Sequence, residues 1–558
     1  MISLLILIVM LIFLAGYCVY GRFLQKQMKL DDSSLTPAQE MNDGIDFVPA
    51  KPMLLLGQHF SAIAAAGPIV GPILGCLWFG WAPALLWIVL GAIFIGGVHD
   101  FSSLVASIRH KAASIGEIVK QYMSPTSHIL FLIFVWLALI YVIIAFTDIT
   151  AHTFKTVVKE EAFGPGVAAS SFLYLLAAVF MGILLYKFKI KLWLATVIFL
   201  PIVLLIIWVG PRLPIEILGS LSVKQWDIIL LIYCFIAAVI PMWLLLQPRG
   251  YLGGWFLYLI IIIGLIGAIF GGFTIQYPAF NLEGLKSLAN GKLLFPVLFI
   301  TVACGACSGF HGIVSSGTTS KQLSREKDAV SVGYGAMLLE GLIAVLAMIT
   351  VIMLPKGAEM LKSDPNLIYA NGIAQYMGLI GIAFSFAFPF ALLAFSTFVY
   401  DTLDVSTRLA RYILQELIGW KSKIGGIICA LISLFVPLLF LMLTKEKGYL
   451  VAWPIFGTSN QLLASLTLLG ISVWLIKTGK NAIYTILPMI FMLVMTLWSL
   501  VTLTLPFITS LPEILQGSSV VPDVLISGIC GIVLLLLSIM LIIEAIKTLS
   551  RNIKGTTA

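Results

Sequence analysis

Two segments combine glycine, proline, histidine and hydroxyl side chains within otherwise apolar runs. Residues 57–72 read GQHFSAIAAAGPIVGP, with two Gly-Pro pairs, and residues 304–319 read CGACSGFHGIVSSGTT. Proline removes a backbone donor and interrupts a helix, and interrupted backbone at membrane depth is tolerated only against protein or a water-filled cavity. A pair of breaks is typical of a transporter binding site, although small residues also serve plain helix packing. We expect a ligand site between the two segments.

Ionisable side chains inside apolar runs are a second group of candidates, because a charge in a membrane is costly and needs a reason. Glu340, in the run GYGAMLLEG, is the deepest carboxylate of the chain. A buried carboxyl group favours its neutral form, which suits a residue that takes up and releases a proton; a structural Glu bonded to a broken helix is the alternative. His99 and Asp100 lie toward the inner end of their run, where we expect a gate or, more simply, a helix-end ion pair.

Further polar residues interrupt the later apolar runs. The spacing of Asp401, Asp404 and Arg408 puts them on one helical face, and we expect a structural salt-bridge ladder at the cytoplasmic mouth. Asn460 and Gln461 are polar outliers that either line the transport path or bridge helices.

Cysteine and histidine spacing raises a metal alternative. Cys304, Cys307 and His311 share a helical face and could ligate a soft metal such as zinc, with His59 or His99 as a fourth ligand. Most cysteines inside membranes are small packing residues, so we expect no metal and no other cofactor. The seven cysteines lie in apolar stretches and are odd in number, which argues against a disulfide scaffold.

Composition decides which elements must position these residues. Of 558 residues, 60% are apolar and 10% are charged, whereas a soluble protein carries roughly 25% charged residues. Such a chain cannot cover a water-facing surface, which excludes a soluble enzyme, a nucleic-acid binder and a disordered protein. It contains no phosphate-binding loop, because the sequence around Lys480 lacks the glycine and hydroxyl pattern of that motif. We therefore expect an all-α polytopic protein whose partner is the lipid bilayer, and no enzyme.

Apolar runs of about 20 residues can cross the bilayer. We identify fifteen candidate spans: 2–20, 54–79, 82–108, 128–150, 167–186, 192–210, 226–247, 251–272, 295–317, 329–354, 378–403, 424–443, 450–476, 484–508 and 523–547. With the N-terminus outside, the loops on the inner side hold 23 of the 33 Lys and Arg residues and the outer loops hold 10. Positive charge collects on the cytoplasmic side, so this orientation, with the C-terminus inside, is favoured.

The two interrupted segments belong to the second and ninth spans, which therefore run in opposite directions, as inverted repeats require. We expect one transmembrane domain, 1–558, divided into a leading helix (2–20), a first repeat (54–210), intervening helices (226–272), a second repeat (295–476) and C-terminal helices (484–547).

Five strings carry a resemblance to a known family. They are residues 57–72, 96–101 (GGVHDF), 308–319 (SGFHGIVSSGTT), 402–416 (TLDVSTRLARYILQE) and 453–464 (WPIFGTSNQLLA). On these the chain resembles the carbon starvation protein A (CstA) family. The resemblance implies an inner-membrane transporter linked to nutrient starvation, uptake of pyruvate by proton symport or of short peptides, and a fold related to the amino acid–polyamine–cation transporters with LeuT-like inverted repeats.

Pyruvate and peptides share a carboxylate, and the open N-terminus of a half-helix suits an anion. We therefore expect the substrate carboxylate between the two breaks. The expected substrate-binding residues are Gln58, His59, Ser61, Gly67, Ser308, His311, Ser315 and Ser316. Glu340, His59 or His311 would carry the proton, and His99, Asp100, Asp401, Asp404 and Asn460 are candidates for coupling or gating.

Three functions follow from these expectations. The first is a proton-coupled secondary transporter for a small carboxylate, with sodium as an alternative coupling ion. The second is a short-peptide transporter with the same site and a larger cavity. The third, from another class, is a membrane metalloprotein or sensor built on Cys304, Cys307 and His311.

Overall fold

The computed structural model describes the chain except for residues 44–46, 65, 159–160, 214–215, 242, 288–290, 421, 445–447, 516–521 and 556–558. Its apolar runs form helices because backbone groups surrounded by lipid must pair within their own segment. The α-helices are α1 Ile2–Ala15, α2 Arg22–Met28, α3 Pro37–Glu40, α4 Pro52–Ile63, α5 Gly67–Phe79, α6 Trp81–Gly91, α7 Gly97–Arg109, α8 Ile115–Tyr122, α9 Pro125–Thr153, α10 Phe163–Tyr186, α11 Leu192–Val209, α12 Glu216–Ser220, α13 Val223–Val239, α14 Leu246–Phe270, α15 Leu294–Thr301, α16 Gly309–Gly317, α17 Ala336–Ile352, α18 Pro365–Gly378, α19 Phe384–Ile418, α20 Lys423–Leu443, α21 Gly448–Lys477, α22 Ile483–Leu515 and α23 Pro522–Gly555.

Short helical variants join some of these helices. π-helical turns at Gly16–Gly21, Ala92–Gly96 and Val330–Gly335 continue into the α-helices that follow them. 3₁₀ turns lie at Gly210–Arg212, Thr319–Lys321, Glu326–Asp328 and Glu359–Lys362. π-helical turns frequently occur at functional sites. The turn at Ala92–Gly96 directly precedes α7, and the turn at Val330–Gly335 directly precedes α17.

Two small hairpins are the strand structure of the described residues. β1 Val157–Val158 pairs antiparallel with β2 Glu161–Ala162, with Val157 opposite Ala162. β3 Leu282–Glu283 pairs antiparallel with β4 Lys286–Ser287, with Leu282 opposite Ser287. Both lie in connections between helices, so the all-α, multi-pass prediction is confirmed.

The described residues contain 12 helices long and apolar enough to cross a membrane, or 13 if the bent pair α4–α5 counts as one span. The predicted span 226–247 corresponds to α13, which is shorter than these, and Met242 lies outside the described residues. The predicted span 295–317 is divided between α15 and α16. The exact count of fifteen therefore stays a prediction. One boundary was wrong: the predicted span 378–403 begins at Phe384 and continues to Ile418.

α19 and α21 lie at the centre of the molecule. The most apolar window of α19 and that of α21 are each 94% buried, against 22% for the window that contains α11. α19 packs on α9 and α18, α21 packs on α9 and α22, and α17 packs on α5. Of the interrupted segments, α5 packs on α17, and α16 packs on α7 and α21.

Close packing of α14 on α18 yields a stability prediction. A Cβ added at Gly267 would lie 2.2 Å from Cγ of Tyr376, so Gly267→Ala should destabilise the protein by about 1–3 kcal/mol through overpacking. Thermal unfolding in detergent measures the change. Gly378→Ala is the control, since no atom lies within 4 Å of that added Cβ; equal effects of the two substitutions would contradict the packing argument.

Candidate functional site

The first interrupted segment is a bend between α4 and α5. The two helices meet at 47°, and Ala64, which ends α4, has φ −80° and ψ 70°, outside the helical region. Pro68 stands in the first turn of α5, where its missing N–H costs nothing. Ala65, within the break, lies outside the described residues. The predicted break in the second span is confirmed.

The second interrupted segment lies between α15 and α16. Residues 302–308 are not helical, and Gly305 has a φ of +86°, a left-handed conformation that glycine adopts without strain. α16 then carries His311, and it is followed by the 3₁₀ turn that contains Thr319. The predicted break in the ninth span is also confirmed.

The two breaks contact one another. A Cβ added at Gly67 would lie 2.4 Å from Sγ of Cys304, and one added at Gly71 would lie 2.5 Å from the carbonyl oxygen of Thr301. Only glycine allows this approach. Each interruption is therefore covered by protein, as freed backbone at membrane depth requires.

Four fully buried titratable residues form a chain of contacts beside the breaks. Nδ1 of His99 donates to Oδ1 of Asp100 at 2.7 Å, and Nδ1 of His311 donates to Oδ2 of Asp100 at 2.8 Å. Nε2 of His311 then lies 3.3 Å from Oε2 of Glu340. All four side chains have 0% exposure. The structure thus brings together residues from α7, α16 and α17 that are distant in sequence.

This chain of contacts contains a charge conflict. A neutral imidazole that donates through Nδ1 has a lone pair on Nε2, and in His311 that lone pair would face a carboxylate. Nε2 of His311 has no further hydrogen-bond partner among the described residues, and the Glu340 carboxylate faces that nitrogen and the backbone of Gly305 in the second break. A proton between the two atoms removes the repulsion, on either the imidazole or the carboxyl group.

His99 and Asp100 belong to this buried chain rather than to a simple helix-end ion pair. A Cβ added at Gly312 would lie 3.0 Å from Nε2 of His99, so a bare backbone in α16 leaves room for the ring. Asp100 holds both imidazoles in the tautomer that carries the proton on Nδ1.

The predicted residues of α4 occupy different places. Nδ1 of His59 lies 2.9 Å from Oγ1 of Thr319, and its Nε2 has no partner among the described residues. Oγ of Ser61 donates to the carbonyl of Gly250 at 3.3 Å. Gln58 lines a cavity of about 160 Å³ between α4 and α14; its walls are Met53, Gly57, Gln58, Gly250, Tyr251, Gly254, Trp255 and Tyr258.

Asn460 of α21 caps α16. Its Oδ1 accepts from the backbone N–H of Phe310 at 3.0 Å, and its Nδ2 donates to Oγ of Ser308 at 3.0 Å. One amide at this half-helix N-terminus is therefore already satisfied and is not free for an anion. Gln461 donates to the carbonyl of Phe299 in α15, so both amides bridge α21 to the second interrupted segment.

The two remaining serines of α16 differ. Oγ of Ser316 donates to the carbonyl of Gly312 at 2.8 Å, within its own helix. Oγ of Ser315 is buried without a partner in the described part of the chain.

A cluster that could hold a metal ion differs from the expected one. Ligand atoms of Cys304, His311 and Glu340 all lie within 4.8 Å of one another. Glu340 takes the place that the sequence spacing suggested for Cys307. These atoms belong to the same site as the His311–Glu340 contact, so a cation there would replace the proton between them.

The predicted ladder of Asp401, Asp404 and Arg408 was wrong. The two aspartates face Arg249 of α14, with Asp404 accepting from Nη1 of that guanidinium and Oδ1 of Asp401 3.5 Å from Nη2. Arg408 instead donates to the carbonyls of Ala237 and Ile240 at 2.6 and 2.7 Å. Arg249 was missed because it stands between two predicted spans; its signal was a lone arginine with apolar sequence on both sides.

The sequence profile of the carbon starvation protein CstA family matches residues 2–371 and 356–499. The chain belongs to this family. It is 32% identical to peptide transporter CstA of Helicobacter pylori, covering 88% of this chain and 80% of that protein. It is 31% identical to the pyruvate/proton symporter BtsT of Escherichia coli, covering 88% and 80%, and 30% identical to peptide transporter CstA of the same organism, covering 87% and 79%.

Among solved structures, this member of the CstA family is similar to a manganese transporter of Eremococcus coleocola, with a TM-score of 0.47 and 14% identity over 92% of this chain and 99% of that one. Its family membership and its apolar helices make it a multi-pass membrane transporter and not an enzyme.

The Asn460 cap gives a prediction for the site. Asn460→Ala leaves the Phe310 amide and the Ser308 hydroxyl without this partner, and an unmet buried polar group costs about 1–3 kcal/mol. Thermal unfolding should detect the loss. Thr502→Ala is the matched control, because that hydroxyl bonds only the Trp498 carbonyl of its own helix and is exposed. Equal stability of wild type and the Asn460 variant would contradict the capping role.

Proposed function

We propose that the protein is a proton-coupled secondary transporter that takes up a small carboxylate such as pyruvate. The observation that carries this proposal is the 3.3 Å approach of Nε2 of His311 to Oε2 of Glu340, with Asp100 holding the opposite ring nitrogen. Two facing acceptors in a buried site bind a proton between them. The site adjoins two interrupted helices, which are elements suited to movement in alternating access.

The surroundings of this pair support a proton rather than a fixed cation as its neutralising charge. The titratable groups that face it are His99 and Asp100 from α7, His59 from α4, and Cys304 and Cys307 from the second break. In the described part of the chain, no lysine or arginine forms an ion pair with His311, Asp100 or Glu340. A proton that moves with an anionic substrate reduces the net charge that crosses the low-dielectric core.

The substrate carboxylate is proposed to bind near the breaks, with Gln58, Ser61 and Ser315 as polar groups. Gln58 lines the 160 Å³ cavity, Ser61 contacts its rim at Gly250, and Ser315 has an unpartnered hydroxyl. Gly67 remains a proposed substrate-binding residue through its backbone. Ser308 remains one because its hydroxyl lies beside Cys304 at the second break. His59 remains proposed for substrate binding or as a proton carrier, and Ser316 is the least available of the substrate-binding set because its hydroxyl bonds its own helix. His99, Asp401, Asp404 and Asn460 remain proposed coupling or gating residues.

A short peptide is the second candidate substrate, because several relatives are named peptide transporters. The cavity favours the smaller ligand: 160 Å³ is below the range of about 300–1,000 Å³ that drug-sized ligands occupy. A tripeptide would require a wider cavity in another conformation.

The architecture we propose keeps the sequence-based division of the chain. It has fifteen spans with the N-terminus outside, in the inner (cytoplasmic) membrane, and LeuT-like inverted repeats over 54–210 and 295–476. Support comes from the loop charges and from the two breaks, which lie seven spans apart when α13 and the α15–α16 segment are both counted.

Glu340→Gln tests the coupling. The amide keeps the size of the carboxylate but removes the charge that holds the proton, so pyruvate accumulation driven by an inward proton gradient should fall at least tenfold, corresponding to about 1.4 kcal/mol or more. Labelled pyruvate uptake in proteoliposomes is the measurement. Glu283→Gln, at an exposed hairpin, is the control. Wild-type uptake that ignores the proton gradient but requires sodium would overturn proton symport.

Competition separates the two substrates. In the same proteoliposomes, di- and tripeptides in large molar excess should leave most labelled pyruvate uptake intact, because the cavity is small. Unlabelled pyruvate is the control competitor. Strong inhibition by peptides, together with uptake of a labelled dipeptide, would favour the peptide transporter instead.

A further inference from the structure

A second buried ionic cluster lies on α14 and α19, apart from the His311–Glu340 contact. Nη1 of Arg249 donates to Oδ2 of Asp404 and, at 2.6 Å, to the hydroxyl of Tyr233. Tyr233 in turn donates to the same Asp404 oxygen at 2.9 Å. Arg249 is fully buried, and Asp404 has 1% exposure. This pair is therefore neutral, and its unpartnered atoms among the described residues are Nε of Arg249 and Oδ1 of Asp404.

Asp401 adds a charge that the pair does not balance. Its Oδ1 lies 3.5 Å from Nη2 of Arg249, beyond ordinary hydrogen-bond length. Its Oδ2 is buried without a partner among the described residues. One guanidinium thus faces two carboxylates, and Asp404 has the direct contact. An uncompensated carboxylate is strongly unfavourable in a membrane interior, and a bound proton removes its charge.

The helices packed around Asp401 supply no second cation. From α10 it faces the phenol of Tyr174, and on α19 itself it faces Asp404, which in turn faces Arg408. Arg408 is engaged by backbone carbonyls. α4, α9, α11, α18 and α20 also pack on α19, and within the described ranges none of them forms an ion pair or hydrogen bond with Asp401.

Asp401 lies against the stretch of α14 that borders the cavity. A Cβ added at Gly253 would lie 2.6 Å from its unpartnered Oδ2, so this oxygen rests on bare backbone. The adjacent Gly254 lines the cavity and faces Ser61 at the first break. The carboxyl group and the cavity therefore lie against adjacent residues of α14.

We propose that Asp401, beside the Arg249–Asp404 ion pair, is a second proton-binding residue of the transporter, separate from the His311–Glu340 site. A proton from cavity water binds the Asp401 carboxylate to give the carboxylic acid, and it returns to water when the acid dissociates; no other bond changes. The assignment rests on the proposed function only for the role of the proton in transport, not for its binding.

Infrared difference spectroscopy of the purified full-length protein tests proton binding without transport. The probe is a pH step, and the readout is the carboxylic-acid C=O stretch. Asp401→Asn should remove one such band, and Asp401→Glu should move its frequency. Asp404→Asn is the contrasting variant, since it takes away the contact partner of Arg249; it should lower thermal stability more than Asp401→Asn does. Bands unchanged in both Asp401 variants would overturn the proposal.

Proteoliposomes give the transport readout. If both sites take part in transport, Asp401→Asn should move one fewer proton per substrate molecule than wild type. This ratio is measured from the opposing substrate and proton gradients at which net uptake reverses. If the wild-type protein moves no protons, the proposed proton coupling is wrong. The infrared test still decides whether Asp401 binds a proton. An unchanged proton ratio in Asp401→Asn would overturn the second site's part in transport.

Discussion

The contact between two interrupted helices is the constraint on which the rest of the structure depends. Backbone that leaves the helix at residue 64 and at residues 302–308 cannot face lipid, so each break must be covered by protein. Glycines at 67 and 71 let the first break approach Cys304 and Thr301 in the second. Once the breaks meet, α7, α17 and α21 must pack around them, and these helices carry the buried polar residues.

Charge is the second consequence of that packing. Covering the breaks brings Asp100, His311 and Glu340 into a space without lysine or arginine partners among the described residues, and the α14–α19 contact buries two aspartates with one arginine. Among the described residues, each cluster holds more carboxylates than lysine or arginine side chains. In a low-dielectric interior such an imbalance favours mobile protons, which gives the fold a physical reason to couple ion binding to conformation.

Several features could be predicted from sequence because they follow from local rules. Gly-Pro pairs near Gly67 and the glycine-rich run before His311 predicted both breaks, and apolar length predicted the long helices. Glu340 stood out as a carboxylate in an apolar run. The contacts among these buried side chains could not be predicted, because Asp100, His311 and Glu340 meet only through the packing of helices far apart in the chain.

Two errors have the same cause. Helical spacing puts Asp401, Asp404 and Arg408 on one helical face, but it does not show what that face contacts. The cation that pairs with Asp404 is Arg249, which comes from another helix. Arg249 stood at a predicted span boundary, where a basic residue suggests a loop, yet α14 begins before it and buries it completely. Asn460 was identified as an outlier, but its capping of α16 depends on the register between α16 and α21.

The most direct test of the central claim is electron cryomicroscopy of the protein in lipid nanodiscs with saturating pyruvate. We expect that α4–α5 and α15–α16 are both interrupted, that the interruptions touch, and that ligand density contacts residues of both. Continuous helices through either segment, or ligand bound away from both breaks, would contradict it.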